Sequence, residues 1–132
     1  MYKTRLGYLV ARCLMGLNLL MHGAVRLPKL EVWSTGIADT FSHTFLPPKL
    51  VLMTAILIPC VELLVGICLF LGLFTRFGII LGWFLIFTLI LGSSILEEWG
   101  NVFNQNLYGL YLVGLYVLLK RNYYSLDQLM KM

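Results

Sequence analysis

A single acidic residue lies in the middle of a long apolar segment. Residues 50–74 are almost entirely apolar, and Glu62 is the only charged residue among them. A helix of this length can cross a hydrocarbon core of roughly 30 Å. A charge at that depth costs about 2.5–3.5 kcal/mol on insertion scales, so it must be protonated, paired or directed into a polar interior. Glu62 is therefore a candidate for proton handling or ligand binding, the alternative being a structural hydrogen bond that orders the helices.

A second group of polar residues follows one face of the first apolar segment, residues 6–25. On a helical wheel this face covers an arc of about 120°. It is formed by Arg12, Met15, Asn18, His22 and Arg26. Because lipid-facing polar groups are penalised, we expect the face to point into the protein. For His22 and Arg26 the alternative is that they mark the interfacial end of the helix.

The depth of these residues predicts a buried ion pair. With a rise of about 1.5 Å per residue, Arg12 and Glu62 reach similar depths in a core of roughly 30 Å. A lone buried charge costs far more than a pair, so we expect Arg12 to bind Glu62, with Asn18 as a second hydrogen-bonding partner. These two charged residues would form the proton-handling centre.

A ligand pocket is predicted nearer the outer end of the first segment. Polar side chains from the first and last apolar segments reach the same level there, and an aromatic loop follows the first segment. The expected contacts are His22, Arg26, Asn18, Asn104, Tyr108 and Trp33. Such a pocket suits an amphipathic molecule with a polar head and a lipid-like tail. The alternative is an ordinary hydrated rim at the end of a helix bundle.

The composition is that of a membrane protein. The chain is 60% hydrophobic and 12% charged, whereas soluble domains have about 25% charged residues. The net charge of +4 does not indicate nucleic-acid binding, because the basic residues lie at the edges of the apolar segments. Three cysteines without a C-x-x-C motif and two histidines give no metal-binding pattern. We expect one domain, residues 1–132, with no metal of its own.

The apolar segments predict an all-α membrane protein with four transmembrane helices in an antiparallel bundle. The spans are residues 6–25, 50–74, 77–96 and 102–119. Within the loop between the first two spans, apolar residues recur every four positions from Trp33 to Phe45, which predicts a short interfacial helix. Basic residues are more frequent on the side of the two termini, so both termini are expected in the cytoplasm and this loop outside.

Several motifs resemble the DoxX family. Arg12, Gly16 and His22-Gly23, followed by a basic residue and an aromatic loop, are similar to the first helix of that family. Residues 62–66 (ELLVG) and 71–76 (LGLFTR) resemble its E-L-x-G-G and G-L-x-T-R signature, and residues 124–127 (YSLD) resemble its closing S-L-D. The chain departs from the pattern at Arg26, where members often have a lysine, and at residues 65–67, which lack the second glycine.

The resemblance implies a small subunit of a redox-related system in the bacterial cytoplasmic membrane. Relatives include the membrane subunit of thiosulfate:quinone oxidoreductase. We therefore expect a chain that binds quinone or a similar amphipathic molecule, carries no covalently bound cofactor, receives electrons from a partner and is not catalytic alone. One alternative is a non-catalytic scaffold that anchors a partner protein or a second copy. Another is a transporter of small molecules or lipids.

Overall fold

The structure, a computed structural model, describes residues 1–131, which form helices and turns without a β-strand. Short 3₁₀ turns follow the first and fifth helices, at Leu27–Lys29 and Leu119–Arg121. The six α-helices are α1 Tyr2–Arg26, α2 Leu30–Thr40, α3 Pro48–Leu71, α4 Thr75–Ile95, α5 Trp99–Val117 and α6 Leu126–Met130.

Three helical segments are long and apolar enough to cross a membrane. They are Tyr2–Thr40, which joins α1 to α2, then α3 and α4. The sequence predicts α5 as a fourth span, but its apolar character falls short of the other three in the described chain. The reason is the polar run Asn104-Gln105-Asn106 in its first turns. The all-helical, membrane-type architecture is therefore confirmed, with three clear spans.

Helices α1 and α3 pack with their backbones in direct contact. A Cβ on Gly16 would lie 2.8 Å from the Cα of Phe70, and a Cβ on Gly66 would lie 2.5 Å from the Cα of Leu20. At Gly23 it would lie 2.6 Å from the backbone nitrogen of Leu63. Residue numbers rise along α1 as they fall along α3, so the two helices are antiparallel. Small residues permit this close approach, which gains dispersion energy in a lipid solvent that offers no hydrophobic driving force.

Helix α4 lies between α3 and α5. The Gly78-x-x-x-Gly82 pattern singled out in the sequence does lie at helix contacts, but against side chains. A Cβ on Gly78 would lie 2.9 Å from the Cβ of Cys68, and one on Gly82 would lie 3.0 Å from Leu112. The buried core joins α1, α3, α4 and α5; its residues are Tyr8, Met15, Leu19, Val65, Leu69, Ile79, Leu85, Ile86, Leu112 and Leu115.

The loop between the first two spans is largely helical, as its four-residue apolar repeat predicts. A 3₁₀ turn at Leu27–Lys29 leads into α2, which packs on α3. Ser34 is buried at this contact, and Trp33 is half-buried. Helix α2 therefore brings an indole ring to the end of α1.

The C-terminal segment closes the opposite end of the molecule. The carboxylate of Asp127 accepts hydrogen bonds from the backbone N–H groups of Phe74, at 2.6 Å, and Thr75, at 2.8 Å. These are orphan donors at the start of α4, so Asp127 caps a helix that begins more than fifty residues earlier in the chain. The backbone N–H of Asp127 also donates to Gly72 O at 2.9 Å. The S-L-D motif is thus a tertiary helix cap.

Replacing Asp127 by asparagine should lower the free energy of unfolding by about 1–2 kcal/mol, because the amide can accept at only one of the two N–H groups and loses the charge that favours a helix N-terminus. Thermal unfolding in detergent, followed by circular dichroism, measures the loss. Asp39→Asn is the matched control, since Asp39 is exposed and its side chain makes no hydrogen bond among the described residues. Equal melting temperatures for the two variants would contradict the role of Asp127 as a helix cap.

Candidate functional site

Glu62 lies on the buried face of α3, against the outer half of α1. Its side chain is only 3% exposed. Gly23 of α1 lies against Pro59 and Leu63 of α3, where any side chain would clash with them. This close approach brings the end of α1 over the carboxylate of Glu62. A buried carboxylate in an apolar helix requires a partner.

That partner is Arg26, the last residue of α1. Arg26 Nη1 donates to both carboxylate oxygens of Glu62, at 2.8 Å and 2.9 Å. The guanidinium carbon lies 5.0 Å from the centre of the Trp33 ring, which places the cation against the aromatic face. Arg26 therefore joins three helices: its own, α3 through Glu62 and α2 through Trp33. We call Arg26, Glu62 and Trp33 the outer cluster.

The predicted Arg12–Glu62 pair is wrong, because the helix register differs from the one that depth alone suggested. Gly66 lies opposite Leu20, so Glu62, four residues earlier on the antiparallel helix, lies opposite position 24. Arg12 is twelve residues away from that position, which is roughly 18 Å along the helix. Arg26 is two residues away. The register of α1 against α3 is set by the close contacts at the glycines and not by where the apolar segments end, and this register decides which charged residues pair.

Arg12 has a structural environment of its own at the other end of α1. It is 2% exposed, its Nε donates to Leu69 O at 2.8 Å, and its Nη1 donates to Asn122 Oδ1. The amide of Asn122 in turn donates to Thr75 Oγ1 at 3.0 Å. Gly72 at φ 69° lies against the guanidinium, where a side chain would collide with it. Arg12 thus ties α1, the α3–α4 turn and the C-terminal segment together.

Replacing Arg12 by lysine should lower the free energy of unfolding by about 2–3 kcal/mol, since an ammonium cannot reproduce the two directed hydrogen bonds of the guanidinium and buried carbonyl groups lose their donor. Chemical unfolding in mixed detergent micelles measures it. Arg5→Lys serves as the control, because Arg5 is at the surface over the ring of Tyr123. A chemical unfolding curve for the Arg12 variant that overlays that of the wild type would contradict this role of Arg12.

The remaining predicted contacts on α1 lie beside the outer cluster. His22 is half-buried, and its Nδ1 lies 2.7 Å from the backbone carbonyl oxygen of Asn18. That bond fixes the ring of His22 against α1. The other ring nitrogen, Nε2, has no hydrogen-bond partner among the described residues. Asn18 contributes its backbone oxygen; its side-chain amide makes no hydrogen bond in the described chain. The expected second hydrogen bond from Asn18 to the Arg12–Glu62 pair is therefore not formed.

The residues predicted on the last span do not join the cluster. Asn104 is exposed and makes no side-chain hydrogen bond among the described residues, and Tyr108 packs against the core. The neighbouring Gln105 donates to Ser93 Oγ at 2.9 Å and so binds α4. Helix α5 contacts α1 in the N-terminal half of α1, where Tyr111 Oη donates to Ala11 O at 2.7 Å. The predicted pocket residues on α1 therefore lie where α1 packs on α3, and those on α5 lie on a helix that packs mainly on α4.

Two clefts of the molecule lie away from the outer cluster. One, of about 280 Å³, is an apolar groove between α3 and α4 that includes Thr54 and Thr88. The other, of about 820 Å³, lies at the opposite end, around Arg76 and the C-terminal segment. No group of three metal-ligating side chains occurs in the described part of the chain.

Arg26 retains hydrogen-bonding capacity that the protein does not use. Both bonds to Glu62 come from Nη1, and Nε and Nη2 have no partner among residues 1–131. The buried side-chain polar atoms without a partner in that range are Trp83 Nε1 and Gln105 Oε1. The free N–H groups of Arg26 therefore reach the surface, and its side chain is 28% exposed. They can donate to an acceptor oxygen on a molecule outside the protein.

The apolar helices and their packing define an α-helical membrane protein. The DoxX family model matches residues 7–93, which covers α1 to nearly the end of α4 and includes Arg12, Arg26 and Glu62. The chain belongs to the DoxX family. Comparison with curated proteins and with solved structures returned no match.

Proposed function

We propose that this DoxX-family protein binds the head group of a quinone at the outer cluster, as a small subunit of a redox-associated system in the bacterial cytoplasmic membrane. The observation that carries the proposal is the state of Arg26: it is fixed by Glu62 through one nitrogen, while Nε and Nη2 face outward without a protein acceptor. Quinones are apolar molecules whose only strong acceptors are carbonyl oxygens. A preoriented guanidinium with free N–H groups at the protein surface is a suitable donor for one of them.

Each member of the outer cluster then has a distinct task. Arg26 donates to the carbonyl oxygen of the head group, and its planar guanidinium, already held by Glu62, is better oriented for this than a lysine ammonium would be. Trp33 offers an aromatic face on which a flat ring can stack, beside the guanidinium that it already contacts. Glu62 holds Arg26 in place and is the titratable group nearest to a bound head group, so it can exchange a proton when the quinone is reduced. His22 lies on the same part of α1, with its Nδ1 held at Asn18 O.

Electrons must come from a partner in this proposal. A quinone takes up two electrons and two protons to give the quinol; in this proposal the protein supplies the binding site and Glu62 as a titratable group beside it. The donor would be a redox protein that docks on the same membrane. The chain would act as the subunit that presents quinone to it.

The membrane placement follows from charge and length. We place α5 as a fourth crossing, because its nineteen residues span about 28 Å as a helix. We propose that both termini and the α3–α4 turn lie in the cytoplasm, because basic residues are more frequent on that side of the helices. The outer cluster then lies toward the outer leaflet, roofed by α2.

Native mass spectrometry of the protein solubilised in mild detergent tests the proposal. Wild-type protein should carry a quinone-mass adduct, or take one up from added short-chain quinone. The double variant Arg26→Gln/Glu62→Gln replaces the charged guanidinium donor by a shorter neutral amide without leaving an unpaired buried charge, and it should lose at least about tenfold in occupancy, which is one good hydrogen bond to a charged group. Lys29→Gln, a nearby exposed residue, is the matched control.

Equal quinone occupancy in the wild type, the double variant and the control would contradict the proposal. So would a phospholipid adduct that replaces the quinone and responds to the same double variant, because the head-group class would then be wrong. The circular dichroism melting curve of the double variant must first show a folded protein.

A second function, that of a scaffold for a partner chain, is favoured by the surface of α5. Asn104 and Asn106 are exposed on a helix that packs mainly on α4, and neither side chain has a hydrogen-bond partner among the described residues. Amides near the lipid favour contact with another helix that satisfies them. In the same mass spectra a stoichiometric second chain, lost in Asn106→Leu, and no quinone adduct would favour this function over the first.

A further inference from the structure

A large cleft opens at the end of the molecule opposite the outer cluster. It has a volume of about 820 Å³ and lies between the start of α4, the end of α5 and the C-terminal segment. Its wall on the membrane side is apolar and includes Phe77, Ile80 and Leu119. Because α4 begins at Thr75, Phe77 and Ile80 lie in its first turns, where an apolar helix enters the hydrocarbon from the head-group layer.

The rim of the cleft is basic. Arg76, Lys120 and Lys131 line it and are exposed. Arg76 is oriented by Tyr116, to whose hydroxyl its Nη2 donates at 3.3 Å, and its guanidinium lies 5.8 Å from the centre of that ring. The three cations therefore come from α4, from the turn after α5 and from the end of the described chain, and meet around one opening.

The acidic residue in the lining does not neutralise this rim. Asp127 is the only carboxylate that lines the cleft within residues 1–131. Its two oxygens already accept the backbone N–H groups of Phe74 and Thr75 at the start of α4. Its charge is thus satisfied by the N-terminus of α4, which leaves the three basic side chains with excess positive charge.

We propose that this cleft binds an anionic phospholipid. The phosphodiester would lie among Arg76, Lys120 and Lys131, and one acyl chain would follow Phe77 and Ile80 along α4 toward the hydrocarbon. The occupant follows from charge complementarity at the opening and from the apolar wall behind it. A free phosphate would use only the cations, and a zwitterionic lipid would bring its own ammonium into a cationic rim. The site is independent of the outer cluster and of quinone binding.

Lipid titration of the full chain in detergent, followed by native mass spectrometry, tests this site. Phosphatidylglycerol and phosphatidylcholine with the same acyl chains are added separately, and inorganic phosphate is added as a third probe. Wild-type protein should bind phosphatidylglycerol at least about tenfold more tightly than phosphatidylcholine, as expected for several lysines or arginines close to one anionic head group. Millimolar phosphate should leave the phosphatidylglycerol adduct in place.

Two pairs of substitutions locate the binding. Lys120→Gln/Lys131→Gln should reduce the affinity for phosphatidylglycerol about tenfold and abolish the preference over phosphatidylcholine. Lys29→Gln/Lys49→Gln removes the same charge from residues outside the cleft and should leave both unchanged. All four lysines are exposed, so the variants should fold, and Lys120→Glu gives a second variant in which the sign of one charge is reversed.

Three results would overturn the inference. They are equal affinity for the two lipids in the wild type, equal losses in the two double variants, and displacement of the lipid by millimolar phosphate. Loss of quinone binding at the outer cluster would not bear on it, and loss of lipid binding in the cleft variants would leave the quinone proposal untouched.

Discussion

Gly66→Ala should destabilise the protein by about 1–3 kcal/mol or more, since it places a methyl group where two backbones already touch. The added Cβ would lie 2.5 Å from the Cα of Leu20 and closer still to its backbone nitrogen. A flexible side chain could move aside, but a helix backbone can move only if α1 and α3 separate along their length. That separation would also pull Arg26 from Glu62.

The control for this prediction is Gly7→Ala, in α1, where no atom lies within 4 Å of the added Cβ. Alanine favours helix by up to about 1 kcal/mol over glycine, so this variant should be as stable as the wild type or more stable. Thermal unfolding of the three proteins in the same detergent, followed by circular dichroism, measures the difference. If both alanine variants gain stability, α1 and α3 do not pack at Gly66.

Arg26→Ala should cost about 3–5 kcal/mol, the range for removing one partner of a buried ion pair, because it leaves the carboxylate of Glu62 buried and unpaired. Glu62→Ala should cost less, because the Arg26 side chain that it leaves unpaired is 28% exposed. The double variant should be no less stable than the worse of the two single variants, because it removes both charges together. The coupling free energy is obtained from a double-mutant cycle on unfolding free energies in mixed micelles.

A second cycle, with Arg12→Ala and Glu62→Ala, is the control. Arg12 binds Leu69 and Asn122, far from Glu62, so its loss should add to that of Glu62 within about 0.5 kcal/mol. Strong coupling of Glu62 to Arg12, and additivity with Arg26, would reverse the assignment and restore the pair that depth alone suggested.

The sequence predicted the all-helical fold and three of the four expected spans, because hydrophobic length is a direct consequence of bilayer thickness. The family was likewise recognisable from its motifs, and the match over residues 7–93 confirms it. Glu62, Arg26 and Trp33 were all identified as candidates from their positions in apolar or aromatic segments. What failed was the pairing, since it depends on the register of α1 against α3.

The register had a signal in the sequence that depth arithmetic does not use. Gly16 and Gly23 are seven residues apart on α1, and Gly66 is the small residue on α3 that fits between them. Aligning these glycines would have placed Arg26 beside Glu62. The role of Asp127 was beyond such reasoning, because its partners, Phe74 and Thr75, are backbone groups distant in the chain and carry no side-chain pattern.

The most direct test of the central claim is photolabelling with a short-chain azidoquinone, followed by mapping of the labelled peptide. If the outer cluster binds the head group, the label should fall on residues 22–40, saturate with added quinone and be lost in the Arg26→Gln/Glu62→Gln variant. Saturable label in the apolar groove at Thr54 and Thr88, or label that no variant of the outer cluster alters, would contradict it.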